Sequence, residues 1–293
     1  MVDGKPAPGD SPAPDGNSVA GGNAAPDGGS VSGGSSVPGG NVAPGELLLN
    51  PGRIVYCQTG RMQPSPRRQI NKAGQGLPLR FRSASMAERS NLWKLTAMVY
   101  EPLWRRYSTG ILTRGAWSLR EECDIVVEML KPVRGANYLD LGCSTGVYAR
   151  AVLEREPESG MVLVDYSLPM LERARKKIGR DARAVYLQCD AGMLPLPADC
   201  MDGAVMGGTL NELSEPERVL SELARVLEKG ATAVVMHLVR TGKPTLLTKM
   251  LAPGGVWIPE EQEVDALFRS AGFELEDSRR AGAMRISRLR TKE

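Results

Sequence analysis

The residues of this chain whose types and spacing could do chemistry begin in the stretch Tyr138–Gly146, which reads YLDLGCSTG. Asn137–Leu141 is a short, mostly apolar run, suited to a strand buried between two helical layers. Gly142 and Gly146 then bracket a tight turn, and Val147, Ala151 and Val152/Leu153 carry helical spacing up to Glu154. Glycine at both positions permits a left-handed backbone and lets a ligand come close, while the following helix aims its free N–H groups at the same space. Asp140, two residues before the first glycine, decides the ligand. A dinucleotide loop would read G-x-G-x-x-G and seat a pyrophosphate, which this carboxylate would repel by roughly 4 kcal/mol at about 4 Å and an effective dielectric of about 20. A ligand with an ammonium group and no phosphate is favoured instead. A second buried strand, Met161–Asp165, ends in another acid 25 residues after Asp140. That is near the ~20-residue interval at which an acid meets ribose hydroxyls, and a carboxylate can accept from both hydroxyls at once.

Several elements must hold these groups. Apolar and aromatic residues recur at helical spacing over 87–112, giving an amphipathic segment ahead of the first strand. Ser118 with Glu121 has capping-box spacing, and the stripe Leu119, Cys123, Val126/Val127, Leu130 runs to Pro132, a scaffold helix for the sheet. Ala184–Gln188 reads as a third strand and Gly203–Met206 as a fourth, ending at Gly207-Gly208-Thr209. In doubly wound sheets ligands sit beyond the carboxyl ends of the strands, which places Thr209, Asn211 and Glu212 beside the reacting centre. Ser214 and Glu217 form a second capping-box pair, and Val219/Leu220, Leu223 and Val226/Leu227 form a buried face. Ala231–Leu238 is a fifth strand holding the only histidine, His237, which at a strand end is more often packed than catalytic. The segment 240–257 is Gly/Pro-punctuated with Leu246, Leu247, Met250, Leu251 and Trp257, as in a lid or substrate wall. A helix from Pro259 through Ala271, closed by Gly272, precedes two closing strands, Phe273–Ser278 and Met284–Leu289.

LDLGCSTG resembles the first motif of class I S-adenosylmethionine-dependent methyltransferases, an acid followed by G-x-G-x-G, with Ser144 in place of the middle glycine. The run CDAGMLPLPADCMDGAVM over 189–206 resembles the family's D-A-x-x-L-P-F-x-D-x-x-F-D-x-V stretch, and AMVYEPLW over 97–104 resembles its A-x-x-Y-D/E element. The resemblance implies an α/β fold with a doubly wound, Rossmann-like seven-stranded sheet, mostly parallel with an antiparallel C-terminal strand and helices on both faces. It implies S-adenosylmethionine as cofactor, held by Asp140, Gly142, Ser144, Gly146, Asp165, Tyr166, Met170, Asp190, Ala191 and Gly207. Asp190 would accept from the adenine amino group, the Ala191 N–H would bond to the ring, and Met170 would lie against it. Asn211, Glu212 and Tyr100 would face the acceptor. The likeness is nearest to the small-molecule group that includes quinone-biosynthesis C-methyltransferases, so a small, partly apolar acceptor is expected.

Composition divides the chain. Residues 1–50 are almost entirely Gly, Pro, Ser, Ala, Asn and Asp and lack the apolar content to fold, so a disordered tail is expected. Residues 51–85 read as a basic flexible linker, 86–135 as a helical cap and 136–293 as the cofactor-binding core; MAERSNLWKL from Met86 also resembles an ordinary enzyme start. Five cysteines, Cys57, Cys123, Cys143, Cys189 and Cys200, show neither paired metal spacing nor scaffold density, and a reducing cytoplasm is expected with no metal. No apolar run of about 20 residues offers a membrane span, which leaves peripheral membrane contact and oligomeric state open. Methylation of RNA guided by the basic arm is the first alternative, but the D/N-P-P-Y/F element of many nucleic-acid amino methyltransferases is absent where this chain reads GGTLNEL. A cofactor-binding module without catalysis and a nicotinamide oxidoreductase are the others.

Overall fold

A computed structural model describes residues 54–57, 62–64, 106–179, 183–242 and 256–293. The chain divides into units 1–41 and 42–293, and every described residue belongs to the second. The expected tail, the element containing Tyr100 and most of the expected lid, 243–255, lie outside the described residues.

Among the described residues nine strands form one sheet: β1 Ile54–Cys57, β2 Met62–Pro64, β3 Asn137–Leu141, β4 Gly160–Asp165, β5 Ala184–Gln188, β6 Met201–Gly207, β7 Leu227–Leu238, β8 Phe273–Ala281 and β9 Met284–Thr291. Their order is β2-β1-β5-β4-β3-β6-β7-β9-β8. Strands β1, β5, β4, β3, β6 and β7 pair in parallel, whereas β9 runs antiparallel to β7 and β8 antiparallel to β9. The seven expected strands are therefore β3–β9. The reading of 51–85 as linker throughout is corrected, because β1 and β2 form an antiparallel hairpin within it and β1 extends the sheet beside β5. Four residues, IVYC, are too short a run to stand out among prolines and arginines, and their pairing is long-range in sequence.

Helices α1 Arg106–Leu112, α2 Leu119–Leu130, α3 Val147–Arg155, α4 Leu168–Ile178, α5 Pro216–Val226 and α6 Glu261–Ser270 cover the sheet. Alternation within the strands sorts the core into two layers. Leu139, Leu141, Val162 and Val164 belong with α5 residues Val219, Leu220 and Leu223 and α6 residue Phe268. Tyr138, Met161 and Leu163 belong with α2 residues Val126 and Val127, α3 residue Val152 and α4 residue Leu171. The Ser118/Glu121 capping box forms, with Glu121 N donating to Ser118 Oγ at 3.2 Å and Ser118 N donating to Glu121 Oε2 at 2.7 Å. The Ser214/Glu217 box does not: Pro216 opens α5, and Glu215 is its N-cap. His237 is packed between β9 and α6, its Nε2 3.0 Å from Ser287 Oγ and its ring edge-on to Phe268 at 5.6 Å. Burial, aided by the Arg285 charge, lowers its pKa to about 3, so it stays neutral.

The chain moves outward from β3 through β4 to β5, then returns to β6 on the other side of β3. That reversal opens a crevice beyond the carboxyl ends of the central strands.

Candidate functional site

The turn after β3 is built from three left-handed residues: Gly142 at φ 71°, Ser144 at φ 49° and Gly146 at φ 72°. Gly142 has a second reason to be glycine, since a Cβ there would meet Thr209 Oγ1 at 2.1 Å and Cγ2 at 2.6 Å. Thr209 Oγ1 donates to Gly142 O at 3.2 Å, which ties the turn to the tip of β6. The turn's amides are largely engaged within the protein. Gly142 N and Cys143 N donate to Val164 O at 2.8 and 2.9 Å, Gly146 N to Cys143 O at 2.8 Å, and Ser144 N to Asp165 Oδ2 at 2.8 Å. A pyrophosphate would need those N–H groups free.

Two carboxylates border the same turn. Asp140 is buried, and its Oδ2 accepts from Ala149 N at 3.1 Å, an acid set against the first turn of α3. Asp165, at the tip of the neighbouring strand, accepts from Ser144 N and, through Oδ1, from Ser167 N at 2.8 Å. Burial nonetheless pushes its pKa up to about 6. With about four lone-pair sites on a carboxylate and two used, Asp165 retains acceptors for a diol. The Cys143 thiol is pushed well up by burial and by the charges of Asp165 and Asp140, and so stays protonated. Ser144 Oγ lies 3.5 Å from Met170 Sδ, which brings Met170 to the turn. Tyr166 O accepts from Gln188 Nε2 at 3.0 Å, linking the tips of β4 and β5. Asp190 and Ala191 follow β5, and Asp190 accepts from Gly192 N and from Arg218 Nη2, both at 2.8 Å. The three acids thus come from three adjacent parallel strands or the loops just beyond them.

At β6, Gly207 lies so close to the Tyr148 ring that a Cβ would sit 2.6 Å from Cε2. Glu122, buried on α2, receives hydrogen bonds from the Tyr148 hydroxyl and from Thr109 Oγ1 of α1, the latter at 2.5 Å. This join between α1, α2 and α3 was missed in the sequence. The available signal was an acid at 122 in line with Val126 and Leu130, four and eight residues on, where an exposed charge has no place.

Asn211 sits differently from its expected acceptor-facing role. Its Nδ2 donates to Leu238 O at 2.9 Å and to Trp257 O at 2.7 Å, and its Oδ1 accepts from Leu238 N at 2.7 Å. With both amide hydrogens held by backbone carbonyls, it is a clamp joining the β6 tip, β7 and residue 257. Asn211→Ala is expected to lower the unfolding free energy by about 2–4 kcal/mol, because buried backbone groups lose their partners; an unshifted urea midpoint would refute the clamp. Glu212, half-buried in the same turn, is the ionisable side chain at this tip. Tyr100 lies outside the described residues. Among the described residues no group of three or more His, Cys, Asp or Glu could hold a metal ion, and no helix is long and apolar enough to cross a membrane.

Residues 139–235 match a family model described as a methyltransferase domain. A chloroplastic 2-methyl-6-phytyl-1,4-hydroquinone methyltransferase of Oryza sativa subsp. japonica is 30% identical over 141 residues, 48% of this chain and 42% of that protein. A ubiquinone/menaquinone biosynthesis C-methyltransferase of Bordetella parapertussis is 28% identical over 200 residues, 66% of this chain and 73% of that protein. The first of these matches spans about two fifths of the relative's length. Among solved structures, the cyclase SpnF shares the fold with a TM-score of 0.57 at 21% identity, over 74% of this chain and 99% of that one. The stretch that is similar to a methyltransferase domain, residues 139–235, is the one that holds the glycine turn together with Asp140, Asp165 and Asp190.

Proposed function

We propose that the chain transfers a methyl group from S-adenosylmethionine to a small, partly apolar acceptor of the hydroquinone or phenol class. The observation that carries this reading is the pairing of a turn whose amides are engaged internally with the buried carboxylates Asp140 and Asp165. Such a site suits a cationic nucleoside and disfavours a pyrophosphate. The acceptor class is supported by the names of the relatives, one acting on a hydroquinone and one in quinone biosynthesis. Four free cysteines among the described residues accord with a reducing compartment, and we take the cytoplasm as the site of action.

When bound, the cofactor supplies the methyl group as an electrophile on a cationic sulfur. Asp165 is assigned to the ribose hydroxyls, the turn from Gly142 to Gly146 to the amino-acid end, and Asp190 with Ala191 to the purine. Thr209 fixes the turn against the β6 tip, and Asn211 holds that tip to β7. The chain's task is to hold the acceptor in line and exclude water. Glu212 is assigned to take the acceptor's hydroxyl proton. The test is calorimetric titration with S-adenosylmethionine, S-adenosylhomocysteine and NADH, followed by turnover against hydroquinones and phenols with apolar substituents. Binding of the two sulfur nucleosides with turnover on that panel is expected. Binding of NADH with no response to S-adenosylhomocysteine would overturn the reading.

A further inference from the structure

We propose that Arg218 is a positioning residue for purine recognition, setting a preference for a 6-amino over a 6-oxo ring by orienting Asp190. The inference rests on the assignment of Asp190 to the purine. Asp190 is gripped on both oxygens: Gly192 N donates to Oδ1 and Arg218 Nη2 to Oδ2, each at 2.8 Å. Arg218 Nη1 also reaches Gly192 O at 3.4 Å, and its Nε lies 3.0 Å from Glu215 Oε2. The guanidinium therefore spans the loop after β5 and the start of α5.

Two further observations make this more than a surface ion pair. A Cβ on Gly192 would lie 2.6 Å from Arg218 Cζ and 2.7 Å from Nε, and Gly192 has no left-handed backbone to account for its being glycine. Its missing side chain is the space the guanidinium fills. Arg218 also begins a row on one face of α5 that straps the same loop. Glu222 Oε1 accepts from Leu194 N at 2.7 Å, and Arg225 Nη2 donates to Leu194 O and Leu196 O at 3.3 and 3.0 Å. Positions 218, 222 and 225 recur at helical spacing, so α5 holds the loop at successive points. The Asp190 side chain is 28% exposed, so its two unused lone-pair sites remain open to a ligand. A carboxylate accepts from a 6-amino group and repels a 6-oxo group. A site built on such a bond discriminates through the group left unpaired, provided the carboxylate is held in place.

The experiment measures binding of S-adenosylhomocysteine and of S-inosylhomocysteine, its 6-oxo counterpart, to the full chain by calorimetry. The parent is expected to prefer the 6-amino compound. Arg218→Ala should erode that preference roughly ten-fold, as for a lost hydrogen bond to a charged group, and Gly192→Ala should do the same by displacing the guanidinium. Arg218→Lys should restore part of it, since a point charge keeps one contact but cannot bridge three. Melting temperatures should change little, because exposed ion pairs contribute little to stability; should Arg218→Ala fail to fold, the Gly192→Ala and Arg218→Lys variants carry the comparison. An unchanged preference in the Arg218 and Gly192 variants, with the preference lost in Asp190→Asn, would overturn the inference while leaving the purine assignment intact. A preference that survives Asp190→Asn as well would remove that assignment and this inference together.

Discussion

An Asp165→Asn variant is expected to melt above the parent protein at pH 7.5 and to have lost most of its affinity for S-adenosylmethionine. Asp165 is buried, and its pKa rises from 3.8 to about 6 despite hydrogen bonds from Ser144 N and Ser167 N. The ionised carboxylate is therefore unfavourable by about 3 kcal/mol, at ~1.4 kcal/mol per pKa unit. The amide carries no charge and escapes this cost, but its Nδ2 cannot accept, so one of the two N–H groups loses its partner at a cost of about 1–3 kcal/mol. The net gain of up to about 2 kcal/mol corresponds, for a domain of this size, to a rise of up to about 4–8 °C. Affinity should fall by about 1.5–3 kcal/mol, the worth of a hydrogen bond to a charged acceptor, or about 10- to 150-fold. Added S-adenosylhomocysteine should then raise the melting temperature of the parent and hardly that of the variant. A variant that binds as the parent does would remove Asp165 from the cofactor.

The same substitution changes the dependence on pH. The stability Asp165 contributes is present below pH 3.8 and is lost as pH rises through about 6, because the folded state holds the proton more tightly. His237 acts with the opposite sign: its contribution is present above pH 6.5 and is lost as pH falls through about 3. Over about pH 4–6 the two slopes oppose each other in the parent. In Asp165→Asn the histidine slope is no longer opposed by that acid, and stability should fall by up to about 1.4 kcal/mol per pH unit as pH is lowered from 6.5 to 4.5. Urea unfolding at several pH values measures this directly, and a flat profile in the variant would contradict it.

Gly142→Ala is expected to be the more damaging change. The left-handed φ of 71° costs a residue with a Cβ about 1–2 kcal/mol, and the 2.1 Å approach to Thr209 Oγ1 forces a displacement worth about 1–3 kcal/mol more. Cofactor binding should drop below detection, since the turn and the β6 tip are parted. Removing the obstacle in Gly142→Ala/Thr209→Gly should recover the steric part and leave the conformational part. The two substitutions should therefore be non-additive by about 1–3 kcal/mol in urea unfolding. Strict additivity would show that the contact between turn and tip is incidental.

What the sequence disclosed was local. The glycine turn, the acid ending β4 and the Ser118/Glu121 box each lie within a few residues and announce themselves by type and spacing. Ser214 and Glu217 have the same spacing, yet Pro216 opens the helix, the N-cap falls on Glu215 and no box forms. Asn211 shows the limit: its amide is held by Leu238 and Trp257, 27 and 46 residues away, and no local pattern distinguishes a clamp from a residue facing an acceptor. Glu122 was hidden for a related reason, because its partners Thr109 and Tyr148 meet it only after three helices pack. Arg218 had an acid three residues before it, so its bond to Asp190 across 28 residues could not be read.

The hairpin β1–β2 bears on how far the amino-terminal region can be trimmed. Ile54–Tyr56 occupies the backbone of Tyr186–Gln188 along one side of β5. A protein shortened to Ala87 would leave that row of amides and carbonyls bare, a template on which a second molecule could align its own strand. A cut placed before Ile54 keeps the row occupied. Self-association of a trimmed protein would thus report a lost neighbour at the sheet margin, two residues from the acid assigned to the purine.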